Sequence, residues 1–275
     1  MTKVPRTYPH GVSCWVDTEQ TDPRAAMDFY GGLFDWTFTP VMPEGAPGQY
    51  YIAQLHGEDV AAIGSGTSDA AWNTYFAVTD ADSAAAQVAA AGGRVESAPE
   101  DAGPGGRTAT CRDPQGAEFR LWQPYRRLGA QVVNLPGSWN FSNLHVPDRD
   151  AALTFYTRVF GWNYVDLGSD VDAMISVPGY GDHLAATVDP DIYLRQANAP
   201  AGFADVIGAV ERSPGAELAQ WRVIFSVIDL DASAGLAQQL GATIVKTSET
   251  AWAALAVLRD PQGAELTLSE FRPPE

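Results

Sequence analysis

The chain has 275 residues, 45% of them apolar and 11% aromatic, which suits two hydrophobic cores better than one. Its 34 acidic residues against 17 basic ones give a formal net charge of −17, which repels phosphate backbones and acidic headgroups, so neither nucleic acid nor a membrane is expected as a partner. No run of about 18 apolar residues occurs, MTKVPRTYPHGVS holds no signal stretch, and the lone Cys14 and Cys111 are too few for a zinc cluster, so free thiols in a cytoplasmic protein are expected.

In chain order, the first block reads as a strand, a helix and further strands. In WVDTEQTDPRAAMDFYGGLF, Asp22 suits an N-cap and Pro23 the first helical turn. Met27, Tyr30 and Phe34 follow at helical spacing, and Gly31–Gly32 mark an end or a break. Strands are predicted over 50–55 and 59–64 around a turn at His56–Gly57–Glu58. The second block opens with NTYFAV (73–78), which alternates as a half-buried strand does. Asp82 is then placed as cap of an alanine-rich helix ending at Gly92–Gly93. Two strands close the block around Asp113-Pro114-Gln115-Gly116, a sequence suited to a type I turn.

The rest of the chain repeats this pattern. DPRAAMDFYGGLFDW (22–36) aligns with DRDAALTFYTRVFGW (148–162) at an offset of 126, and 78–95 with 227–244 at an offset of 149. RDPQGAE occurs twice, at 112–118 and 259–265. The expected fold is therefore α+β, built of four βαβββ units. They pair into an N-terminal domain (1–130) and a C-terminal domain (131–275), with the extra 149 − 126 = 23 residues placed within an insertion around 189–215. That insertion reads equally as a helix or lid, a surface loop or a dimer contact.

The Asp-capped helix ending in Phe-Tyr with Phe-x-Trp beyond it, V-x-D-x-D before the second helix and the D-P-x-G turn resemble the vicinal oxygen chelate superfamily. That superfamily includes glyoxalase I, extradiol dioxygenases and bleomycin-resistance proteins, and the chain looks most like tandem two-domain actinobacterial glyoxalase-like proteins. The resemblance implies sheets curled into cups, each holding a divalent metal through His and Glu on four strands. The implied ligand positions are Trp15, Asn73 and Arg120 in the first half and Phe141, Arg222 and Thr267 in the second. The remaining strand, read as DVAAIG or HLAATV, offers Ala61, Ala62, Ala185 and Ala186. A guanidinium stays protonated and offers no lone pair, so no metal and no other cofactor is expected.

By strand parity Glu118, Arg120 and Trp122 share a face, with Asn73 and Tyr75 opposite and Asp17 and Glu19 joining from the strand of Trp15. Such a face suits a small, partly polar, planar or carbonyl-bearing molecule, with Arg120 gripping its oxygen. The plainer alternative is that Arg120 and a carboxylate neutralise each other in a filled barrel. The second cup offers Phe141, Asn143, His145, Arg222, Ile224, Glu265, Thr267 and Ser269. Among these, His145 is the acid–base candidate, because an unperturbed imidazole changes charge near neutral pH, with Glu118 and Glu265 as further proton carriers. His10, His56 and His183 are expected at solvated positions.

Besides a purely structural or partner-binding role with the cups packed shut, three functional classes follow. One is a metal-free protein that sequesters a small molecule for resistance or detoxification. Another is a metal-independent lyase, isomerase or hydrolase acting on a small carbonyl metabolite. The third, a divalent-metal glyoxalase or dioxygenase, needs ligands other than those aligned. A tandem chain can satisfy its own pairing, so monomer and homodimer both remain open.

Overall fold

The structure is a computed structural model that describes residues 4–43, 45–66, 69–165, 173–213 and 218–272. The first half contains β1 (Ser13–Gln20), α1 (Pro23–Phe34), β2 (Thr37–Pro40), β3 (Tyr50–Leu55) and β4 (Glu58–Ser65). It continues with β5 (Ala71–Ala77), α2 (Ala81–Ala90), β6 (Arg94–Asp101), β7 (Gly106–Arg112) and β8 (Glu118–Pro124). The second half begins with β9 (Trp139–Val146), α3 (Arg149–Phe160), β10 (Asn163–Val165) and β11 (Ala173–Ser176). Two helices, α4 (Tyr180–Thr187) and α5 (Ile192–Arg195), and a 3-10 turn at Phe203–Asp205 precede β12 (Val206–Arg212). The chain closes with β13 (Gln220–Val227), α6 (Leu230–Gln239), β14 (Thr243–Glu249), β15 (Ala253–Arg259) and β16 (Glu265–Phe271). These strands form two eight-stranded mixed sheets, in the orders β2-β3-β4-β1-β5-β8-β7-β6 and β10-β11-β12-β9-β13-β16-β15-β14. No helix among the described residues is long and apolar enough to cross a membrane.

The cores are not divided at mid-chain. One compact unit takes 1–14, 74–129 and 142–221, and the other takes 15–73, 130–141 and 222–275. Each therefore joins a βαβββ unit of one half to a βαβββ unit of the other. In the first, Phe76, Phe119, Phe155, Tyr156, Phe160, Trp162 and Trp221 form a nest of edge-on and stacked rings behind β5 and β8. In the second, Tyr30, Phe34, Trp36, Trp72 and Phe225 do the same.

The repeated turn holds these pairings together. Asp113 is buried, and its Oδ1 accepts from the backbone N–H of Gln115 (2.8 Å) and Ala117 (2.9 Å). Gly116 N donates to Asp113 O at 3.0 Å, closing the expected turn. The other carboxylate oxygen of Asp113 accepts from the Tyr156 hydroxyl on α3 (3.2 Å), which also receives the indole N–H of Trp221 (3.1 Å). Gln115 bonds both the N–H (2.8 Å) and the C=O (2.7 Å) of Asp148, the N-cap of α3. The second copy is reciprocal: Asp260 accepts from Tyr30 on α1 (2.8 Å), Trp72 donates to Tyr30 (2.9 Å), and Gln262 bonds the N–H and C=O of Asp22, each at 2.8 Å. Each turn thus clasps the start of the opposite half's first helix.

Three sequence expectations are corrected. The cap of α2 is Asp80, not Asp82: Asp80 is extended (φ −146°) and accepts from Ser83 N. Asp82 lies in the first turn, where its carboxylate meets the positive end of the helix and pairs with Arg107 (2.9 Å). Gly31 and Gly32 do not end α1, which runs through them to Phe34. They permit close approach instead, since a Cβ on Gly31 would meet the Trp36 carbonyl at 3.3 Å and one on Gly32 the Leu240 side chain at 3.1 Å. HLAATV is not a strand but part of α4, entered through left-handed Gly179 (φ 81°) with Asp205 accepting from Gly181 N at 2.7 Å. Its strand role falls to β12. Gly64 pairs with Glu19 and Glu211 with His145, an offset of 211 − 64 = 147, so 147 − 126 = 21 of the extra residues precede β12. Residues 214 and 215 of the expected insertion lie outside the described residues.

Glycines at close contacts supply a first prediction. A Cβ on Gly93 would meet the Arg112 carbonyl at 2.7 Å and the Phe155 ring at 2.9 Å, whereas one on Gly235, inside α6, meets nothing within 4 Å. Gly93→Ala should cost about 1–3 kcal/mol through overpacking. Gly235→Ala should add about 0.5–1 kcal/mol by relieving a helix-interior glycine. Chemical denaturation of both variants reads the opposite signs.

Candidate functional site

On β1, the Asp17 carboxylate is buried yet fully engaged. It accepts from the Tyr50 hydroxyl (2.8 Å) and from the Asn73 amide (2.9 Å), while the Trp15 indole donates to the same Tyr50 oxygen (3.2 Å). Asn73 thus meets Asp17 directly and Trp15 meets it through Tyr50, a residue that motif reasoning missed. It stands first on β3 opposite Gly64, whose missing side chain makes room for the ring: a Cβ there would lie 3.1 Å from it. Parity along the predicted 50–55 strand was the available signal.

The second group lies on β5 and β8. Arg120 pairs with Tyr75 in the parallel register, and its guanidinium donates to the Tyr75 hydroxyl at 2.9 Å. Its central carbon lies 5.5 Å from the centre of the same ring, within cation–π range. Trp122 stands edge-on to Tyr75 at 6.2 Å and ties its own indole N–H to the Arg127 carbonyl (2.9 Å). It occupies the space left by Gly106, where a Cβ would lie 2.6 Å from the indole. Glu118 shares the face, 4.0 Å from Arg120, but bonds more closely to Arg112 across the β7–β8 hairpin. The Arg120 side chain keeps 15% of its exposure, so the cation is presented from a largely desolvated mount.

On the second sheet, Asn143 and His145 on β9 gather around Glu211 on β12. Asn143 donates to one Glu211 oxygen (2.7 Å) and His145 Nδ1 lies 3.7 Å from the other. Glu211 lies on β12, whereas the sequence pattern places this strand at HLAATV, which is helical. Glu265 pairs instead with Arg259 at 2.8 Å, the counterpart of Glu118 with Arg112. Thr267 and Ser269 are buried and face Ile224 and Ser226 in register, while Phe141 and Arg222 are half-buried. His183 is not simply solvated, since its Nε2 lies 3.1 Å from the Thr7 hydroxyl and 3.0 Å from the Thr7 carbonyl. Neither cysteine suits nucleophilic work: both are buried and free, and burial pushes the Cys14 thiol up and the Cys111 thiol up to about 12.

The donor set does not fit a divalent cation. Among the described residues no three His, Cys, Asp or Glu side chains gather where an ion could sit. The last-strand positions carry Arg120 and Thr267, and the strand-opening positions Asn73 and Arg222. With the strand corrected, β12 adds Ala209 and Glu211 in place of Ala185 and Ala186, which contributes one carboxylate only. A guanidinium repels a cation where the last ligand would stand.

Comparison with known proteins adds context to this geometry. A family model described as a glyoxalase-like domain matches residues 14–122 and again 141–269. CFP32 of Mycobacterium tuberculosis, provisionally named a glyoxylase, is 34% identical over 265 residues, spanning 94% of each chain. The anthracycline biosynthesis protein DnrV of Streptomyces peucetius is 32% identical, spanning 95% of this chain and 94% of its own. Among solved structures, the Mn(II)-bound glyoxalase of Novosphingobium aromaticivorans superposes with a TM-score of 0.61 at 17% identity, covering 95% of this chain and 82% of that one. The 2,3-dioxygenase LapB of Pseudomonas sp. KL28 also reaches 0.61, at 14% identity over 95% and 93%. These last two are likenesses of fold.

Proposed function

Because the chain belongs to the glyoxalase-like family, whose domain it carries twice, we propose that it is a metal-independent member that binds a small planar or carbonyl-bearing molecule. The observation that carries this reading is Arg120. At the position the resemblance assigns to the last metal ligand, a fixed cation is mounted on Tyr75 beside the Trp122 indole. A guanidinium so placed offers paired donors to a carboxylate, phenolate or carbonyl oxygen, while the rings supply apolar contact to a planar body. The relationship to a protein named for anthracycline biosynthesis supports a planar aromatic ligand. Sequestration or detoxification in the cytoplasm is the role this suits.

The test uses benzoate and salicylate as anionic probes and benzyl alcohol as the uncharged control, read by thermal shift. Both carboxylates should raise the melting temperature, since a ligand at about 100 times its Kd adds about 2.7 kcal/mol. Benzyl alcohol should not. Equal stabilisation by all three, or by none at millimolar concentration, overturns the reading.

A further inference from the structure

The insertion between β11 and β12 builds a cavity of its own. In the first half β3 turns straight into β4 through His56–Gly57. In the second the chain passes instead through α4, α5 and the 3-10 turn. The last two of these wall a cavity of about 350 Å3, within the range of small-molecule pockets. Local packing sets its shape. Buried Ile192 anchors α5, and left-handed Gly202 (φ 83°) folds the chain back. Phe203 N then reaches the Pro200 carbonyl and Asp205 N the Gly202 carbonyl, each at 3.1 Å. Gly181 on α4 lets these parts close up. A Cβ there would lie 2.7 Å from Ala204 Cβ, 2.8 Å from the Tyr193 hydroxyl and 3.2 Å from Asp205 Oδ1.

The chemistry of the lining is one-sided. Tyr193, Pro200 and Phe203 supply apolar walls, and Gln196 and Asp205 supply the polar groups, with no Lys or Arg among the lining residues. Arg195, next to Gln196 in the chain, is held by Asp189. Asp205 Oδ1 accepts from Gly181 N at 2.7 Å, but Oδ2 has only a long contact with Gly179 N at 3.4 Å and keeps acceptor capacity. Gln196 Oε1 is buried, and no donor among the described residues reaches it. An acceptor left in that state costs stability, which an incoming N–H would return. Tyr193 donates its own proton to Asp182 Oδ1 at 2.7 Å. That bond chiefly, with the nearby Asp205 charge adding, pushes the hydroxyl up to about 12, so the ring stays neutral. We propose that this cavity binds a small organic ammonium, its charge against Asp205 and Gln196 and its apolar body against Tyr193 and Phe203. An ammonium offers three donors and no acceptor, which matches this lining, and an aromatic face adds attraction for the cation. The net charge of −17 further concentrates small cations around the chain. An anion that suits Arg120 is repelled here.

The experiment titrates benzylammonium into the full chain at neutral pH by ligand-detected NMR, with benzyl alcohol as its uncharged counterpart. The amine should bind at least about 10-fold more tightly than the alcohol, the lower end of what a hydrogen bond to a charged group contributes. Asp205→Asn keeps an acceptor for Gly181 N and should fold normally, yet weaken the amine about 10- to 100-fold. Gln196→Met keeps the length of the side chain, removes only the amide, and should weaken it about 2- to 10-fold. No saturation at millimolar amine, equal binding of amine and alcohol, or equal affinity in the wild-type protein and both variants overturns the proposal. Benzoate should not compete with the amine, so this result and the Arg120 reading stand or fall separately.

Discussion

Asp260→Ala is expected to destabilise the protein by about 3–5 kcal/mol, because it strands several buried donors at once. The carboxylate accepts from the backbone N–H of Gln262 and Ala264 (each 2.9 Å), from the Tyr30 hydroxyl (2.8 Å) and from the Gln20 amide (2.7 Å). Apart from the Gln20 amide, which also reaches the Thr18 hydroxyl at 2.8 Å, these donors would have no comparable acceptor. For a chain of this size the loss corresponds to a melting temperature lower by about 10 °C. Asp113→Ala should cost less, since Asp113 accepts from two backbone groups and Tyr156 but has no counterpart of Gln20, whose repeat position is Val146. Thermal unfolding of the two variants side by side checks the order. Equal and small losses would mean that the turns do not clasp the opposite helices as described.

Arg120→Met is expected to weaken benzoate binding about 10- to 100-fold, the range for loss of hydrogen bonds to a charged group. Methionine keeps the apolar stem against the rings, so the change isolates the guanidinium and its bond to Tyr75. Arg120→Lys should recover part of the affinity but not all, because an ammonium lacks the planar fork that meets a carboxylate at two points. Calorimetric titration reads both. Unchanged affinity in the methionine variant would remove Arg120 from the site.

The fold was largely legible because its signals are local and repeated. Asp22 before Pro23 and the Asp-Pro-Gln-Gly turn each specify backbone geometry within a few residues and formed as read. NTYFAV formed its strand but is buried on both faces from Thr74 to Val78 rather than half-buried. The misreadings came where two local signals competed. Asp80 and Asp82 are both plausible caps, and only the extended backbone at Asp80 separates them. HLAATV alternates weakly enough to pass for a strand until the left-handed Gly179 and the Asp205 acceptor start a helix. The site was less legible, because its partners come from distant strands. Parity set Glu118, Arg120 and Trp122 on one face, but it could not show that Tyr50 holds Asp17 or that the Glu118 and Glu265 carboxylates are engaged by hairpin arginines. Glu211 was lost with its misassigned strand. The duplicated turn was likewise readable as a turn but not as a clasp, since the helix it grips belongs to the other half of the chain.

At positions that the family resemblance would assign to metal ligands stand Arg120 and Arg222, whose guanidinium groups have no lone pair for a cation. Elemental analysis of the purified protein, produced in medium supplemented with manganese, iron, nickel and zinc and then desalted, tests this most directly. The guanidinium at Arg120 and the absence of a three-donor cluster among the described residues predict metal content far below one ion per chain. Close to one ion of a single metal per chain, retained through desalting, would contradict it.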